Sequence, residues 1–144
     1  MSTTSRPACV ANFADSLDAG GVGDLAGRSS PLGRALGLVR LGIHHEILQP
    51  GHRTSFPHAE SHEEEFVYVL SGLPSVWLNG NVFDLVAGDA VGFPAGTDDA
   101  HTFLNNSNDD AHLLVVGEAT KPENRVYYPL DPERQAEMLV KGLS

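Results

Sequence analysis

The chain has 144 residues, with 9 Lys plus Arg against 19 Asp plus Glu and a formal net charge of −10. That length suits one domain with a core of its own, and the acidity argues against a nucleic-acid backbone or an anionic membrane as partner. A single cysteine, Cys9, excludes an internal disulfide; with no signal-type leader and no apolar run approaching the ~20 residues that span a bilayer, a cytoplasmic protein is expected.

Residues 1–37 are rich in Ser, Gly, Ala and Asp, with few large apolar groups to offset the entropy of ordering them. They read as an amino-terminal arm or loop, anchored on the barrel or a second subunit by Phe13, Leu17, Leu25, Leu32 and Leu36. From Leu38 the pattern changes. Leu38 to Leu48 has strand content and stops at Gln49-Pro50-Gly51; Phe66 to Leu70 ends at Ser71-Gly72. Ser75 to Leu78 meets Asn79-Gly80, a hairpin dipeptide because both residues tolerate positive φ, and Val82 to Val86 follows as the partner strand. Ala90 to Phe93, His101 to Leu104 and His112 to Val116 complete the set. Short β-branched and aromatic strands at this spacing predict an all-β antiparallel sandwich or barrel, with no helix needed before the carboxyl end.

Beyond the strands, Lys121 to Pro129 reads as a surface strap that packs on the barrel or caps a pocket mouth. A short helix is expected next, capped by Asp131, opened by Pro132, favoured by Glu133 at its positive end and closed near Gly142. Ala136, Leu139 and Val140 would form its buried stripe. Residues 1–37, 38–117 and 118–144 are thus an arm, a barrel core, and a strap with helix belonging to the same domain.

Two blocks carry the chemistry. In the first, Gly51 is followed by His58, Glu60, His62, Glu65 and Gly72; in the second, Gly88 is followed by Pro94, Gly96, His101 and Asn105. On an extended strand residues two apart share a face, so His58 and Glu60 point together, and Glu65 opens an apolar run at the inner edge. Imidazole and carboxylate together suit zinc, iron, manganese or nickel without choosing among them.

These blocks resemble the two motifs of the cupins, small β-barrels whose motifs line the interior: G-x5-H-x-H-x3-4-E-x6-G and G-x5-P-x-G-x2-H-x3-N. Here His58 comes one residue late, Glu60 stands in the place of the second histidine, and two extra residues precede His101. The resemblance spans about Leu38 to Gly117 and implies a cupin-type double-stranded β-helix, or jelly roll. It maps metal ligands onto His58, Glu65 and His101, with Glu60 inheriting the fourth position. Glu60 is then a carboxylate ligand, a general base beside a three-ligand metal, or part of a metal-free site for an organic ligand. His62 ranks second as a replacement histidine, being closer to Glu65 than the motif spacing allows.

Elsewhere, the adjacent His44 and His45 must face opposite ways, and with His52 and His112 they read as packing or surface residues. Phe56, Tyr68, Trp77, Phe93 and Phe103 read first as core and second as pocket lining. Arg40 and Arg53, if inward, would favour a carboxylate or phosphate. The resemblance implies a metal-binding protein acting on a small organic acid or sugar-type metabolite by oxygenation, decarboxylation, isomerisation or lyase chemistry. The alternative is a non-catalytic binding or sensing barrel, with or without metal; a purely structural subunit would leave the inward polar cluster unexplained. Exposed sheet edges make a homodimer the expected assembly.

Overall fold

The structure, a computed structural model, describes residues 5–119 and 121–142; residues 1–4 of the arm and residues 120, 143 and 144 of the carboxyl-terminal part lie outside the described residues. In chain order the elements are β1 (Asp18–Gly20), β2 (Gly27–Ser30), α1 (Leu32–Ala35), β3 (Leu41–Leu48), β4 (Ala59–Glu60), β5 (Glu65–Ser71), β6 (Ser75–Leu78), β7 (Asn81–Asp84), β8 (Ala90–Phe93), β9 (His101–Leu104), β10 (Ala111–Glu118), β11 (Val126–Tyr127) and α2 (Pro132–Val140). A six-stranded sheet runs β1-β2-β3-β10-β5-β8, a three-stranded sheet runs β7-β6-β9, and β11 pairs with β4. Every pairing is antiparallel. No helix among the described residues is long and apolar enough to cross a membrane.

Strand alternation decides what enters the barrel. In β5, Val67 and Val69 are buried while Phe66, Tyr68 and Leu70 face outward, so Glu65 lies on the inward parity. Leu48, Val67, Val69, Phe93, Ala111 and Leu113 from the large sheet meet Val76 and Phe103 from the small one. The sandwich therefore closes on a continuous apolar core from both sheets, as the alternating patterns require.

The hairpin expected at Asn79-Gly80 forms: φ is 49° and 89°, and Leu78 pairs with Asn81 across the turn. Gly72 is needed for a different reason. Its φ is 84°, and a Cβ there would lie 2.6 Å from the Ala111 Cα.

Three expectations need correction. Residues 18–30 are not loop: β2 pairs with β3 through Arg28↔Ile47, Ser29↔Glu46 and Ser30↔His45, and β1 extends the sheet beyond it. Their small polar side chains hide the strands from an apolar pattern; what recruits them is the backbone N–H and C=O row on the β3 edge. All five proposed anchors of the arm are half-buried, and Phe13 stacks on His45. A helical turn, α1, also precedes the barrel. Finally, α2 forms with Asp131 accepting from the Arg134 N–H at 3.0 Å, but the expected stripe does not face the body: Leu139 is 58% and Val140 89% exposed. Ala136 is exposed too, and the half-buried side is Arg134, Gln135 and Met138. The Gln135 side chain, accepting from the Tyr128 N–H at 2.7 Å, ties the helix to the strap by a polar contact.

Candidate metal centre

His58, immediately before β4, and His101, opening β9, are brought together by their backbones. Each N–H donates to the other residue's carbonyl, at 3.2 and 3.0 Å. Glu65 reaches the same point from the start of β5, its inward parity set by Val67 and Val69. One ligand atom from each of the three lies within 4.8 Å of the others.

Hydrogen bonds fix how the imidazoles present themselves. His58 Nδ1 donates to the Phe56 carbonyl at 2.9 Å, and His101 Nδ1 donates to the Asp99 carbonyl at 2.9 Å. With the proton held at Nδ1, each Nε2 carries a lone pair, the tautomer that ligates a cation. The His101 ring is clamped by Phe93, stacked at 3.5 Å and 8°. Its Nε2 is buried with no hydrogen-bond partner and stands 3.6 Å from Glu65 Oε1. A buried lone pair left unmatched beside a carboxylate is costly unless a cation sits between them. The donor set fits a divalent metal ion.

A cavity of about 140 Å³ adjoins these groups, lined also by Glu46, Thr54, Phe103 and Val115. Glu46, on β3, was not singled out by motif. It shares the inward parity of Leu48, and burial, reinforced by the charge of Glu65, pushes its carboxyl up to about 7. The available signal was a lone carboxylate inside the strand-like run Ile43 to Leu48.

Glu60 stands at the edge. Its Oε1 is 3.8 Å from His58 Nε2, and its Oε2 accepts from Asn124 Nδ2 at 2.5 Å. Burial raises its pKa, opposed by the Asn124 hydrogen bond and the nearby His58. Asn124 Oδ1 also accepts from the His62 N–H at 2.9 Å and the Glu63 N–H at 3.2 Å, so the strap holds this loop. His62 itself is exposed and bonds through Nδ1 to the Ser61 hydroxyl, away from the cluster. Of the run Glu63 to Glu65, only Glu65 lines the cavity: Glu63 accepts from the Lys121 N–H at 2.6 Å and Glu64 is exposed.

The remaining candidates lie elsewhere. His45 bonds to His112 at 2.8 Å on the outer face, His44 contacts the Ser29 hydroxyl at 3.3 Å, and His52 bonds to the Ala26 carbonyl. Arg40 is exposed, and Arg53 pairs with Asp24 at 2.8 Å. Asn105 is buried and ties loops through its side chain, donating to the carbonyls of Leu48 and Asp109 at 2.8 Å each.

The cupin domain model matches residues 44–117. A protein from Acidithiobacillus ferrooxidans described as a sugar phosphate isomerase superposes with a TM-score of 0.70 at 33% identity, over 74% of this chain and 67% of that one. A cupin-superfamily sugar phosphate isomerase from Silicibacter pomeroyi gives 0.71 at 31% identity, over 80% and 78%. A Thermotoga maritima protein described as an oxalate decarboxylase gives 0.63 at 23% identity, over 77% and 99%, a likeness of fold. No curated protein sequence matches the chain.

Proposed function

The chain belongs to the cupin family, and from that premise we propose that it is a metal-dependent enzyme that isomerises a small sugar-type metabolite. His58, Glu65 and His101 would hold the ion. The observation that carries this reading is the pair of Nδ1-protonated imidazoles that converge with Glu65, the Nε2 of His101 being buried without a partner. Two solved structures above 30% identity, both described as sugar phosphate isomerases, support the choice of reaction.

A bound divalent ion would polarise a substrate oxygen and acidify the neighbouring C–H. The protein's part is then proton transfer. Glu60 takes the proton from that carbon at Oε1 and returns it to the adjacent carbon, the hydroxyl proton passes to the former carbonyl oxygen, and Oε2 stays bonded to Asn124. No electrons leave the substrate, so no redox partner is required. Glu46 supplies a carboxyl able to hold a proton near neutrality on the β3 wall of the cavity. Phe93, Phe103 and Val115 exclude water around the imidazoles.

Elemental analysis of protein purified without added metal tests the site: near-stoichiometric metal in wild type and its loss in His58→Ala and His101→Ala are expected. Equal metal content in all three sinks the proposal. An aldose–ketose assay across small sugars and their phosphates, with and without chelator, tests the reaction.

A further inference from the structure

Beside the metal centre lies a second, larger cavity of about 520 Å³, lined among others by Ser55, Phe56, His58, Val126, Tyr128 and Arg134. Thr54, Ser55 and His58 line both cavities, so the larger one is contiguous with the site. Arg134 comes from α2, far from either motif. Its guanidinium lies 3.6 Å over the Phe56 ring and 4.8 Å from the Tyr128 ring, which fix its plane.

What this cation lacks is a close ion pair: Glu137, one turn along α2, feels its charge from farther off. Arg53, the other arginine over Phe56, at 4.7 Å, has its charge matched by Asp24 at 2.8 Å. Among the described residues no carboxylate lies within ion-pair distance of Arg134, and its Nε is buried with no hydrogen-bond partner. Stacking accounts for the position of the guanidinium but not for an N–H donor removed from water and left unmatched, in a protein with ten more acidic than basic groups. A planar, pre-oriented fork of donors of this kind matches the oxygens of a carboxylate or phosphate.

We propose that Arg134, held between Phe56 and Tyr128, binds the oxyanion group of the substrate and so places its reacting end at His58, Glu65 and His101. This names the ligand class as an anionic metabolite, and it rests on the metal-centre reading only for what lies next door. The carboxyl-terminal helix is then part of the binding site, which explains why Arg134 rather than Leu139 or Val140 faces the barrel.

The test is calorimetric titration of inorganic phosphate, and separately of acetate, into chelator-treated protein, so that a failure of the metal reading leaves the result intact. Wild type is expected to bind at least one of the two, with Arg134→Met weakening that binding at least about tenfold. Loss on the phosphate arm assigns a phosphate ester, and loss on the acetate arm a carboxylate. Arg134→Lys keeps the stem and the charge without the fork; it is expected to melt with wild type and to bind at an intermediate affinity. Failure of wild type to bind either anion, or equal affinity in wild type and Arg134→Met, would overturn the proposal.

Discussion

Glu46 shows how a single side chain couples the site to stability. In metal-free protein its carboxyl, usually near 4.5, is raised to about 7, chiefly by burial. Between those values the folded state keeps a proton that the unfolded state has released, so the contribution is full below about 4.5 and is lost as pH rises through about 7. Glu46→Gln removes that dependence. Urea unfolding of chelator-treated protein should find the variant more stable than wild type at pH 8, by up to about 3 kcal/mol, and close to it at pH 4.5. An unchanged pH slope would show that Glu46 is not buried as a carboxyl. At Glu60 the expectation separates binding from chemistry: Glu60→Gln keeps the Asn124 contact and the metal content, while kcat falls about 10²- to 10⁴-fold. Metal lost along with activity would instead make Glu60 a ligand.

At the level of elements, the barrel depends on tight turns and borrowed edges. Gly72 joins β5 to β6 where any side chain would strike the Ala111 backbone. Gly72→Ala should cost about 2 kcal/mol or more, visible as a lowered urea midpoint with unchanged m. Turn chemistry of this kind was legible: Asn79-Gly80, Ser71-Gly72 and the capping Asp131 all act as their residue types predict. β1 and β2 were not legible, because Asp18-Ala19-Gly20 and Gly27-Arg28-Ser29-Ser30 offer no apolar alternation and exist as strands only against β3. For α2 the expected stripe was real as a pattern, yet the helix docks through the Arg134 stack and the Gln135 hydrogen bond, which no periodicity announces.

For the whole molecule, the outward row Phe66, Tyr68 and Leu70 on β5, beside the β8 edge, leaves an apolar strip on the six-stranded sheet. We propose that two copies associate over this strip. Light scattering should then give twice the chain mass for wild type and less for Phe66→Lys with Leu70→Lys, while metal content stays the same; a monomeric wild type would reject the pairing.

From the sequence came an antiparallel barrel and its turns, because strand parity and glycine turns are local properties written in adjacent positions, while His58, Glu65 and His101 as metal ligands came from the resemblance of the two blocks to the cupin motifs. Whether those three meet, which imidazole nitrogen is free, and that Glu46 and Arg134 stand beside them were decided by the tertiary structure alone. Each of those facts depends on groups distant in sequence: the Asp99 carbonyl and Phe93 that set His101, the β3 wall that buries Glu46, and the Phe56 and Tyr128 rings that hold Arg134. Spacing predicts faces; only packing decides what faces what.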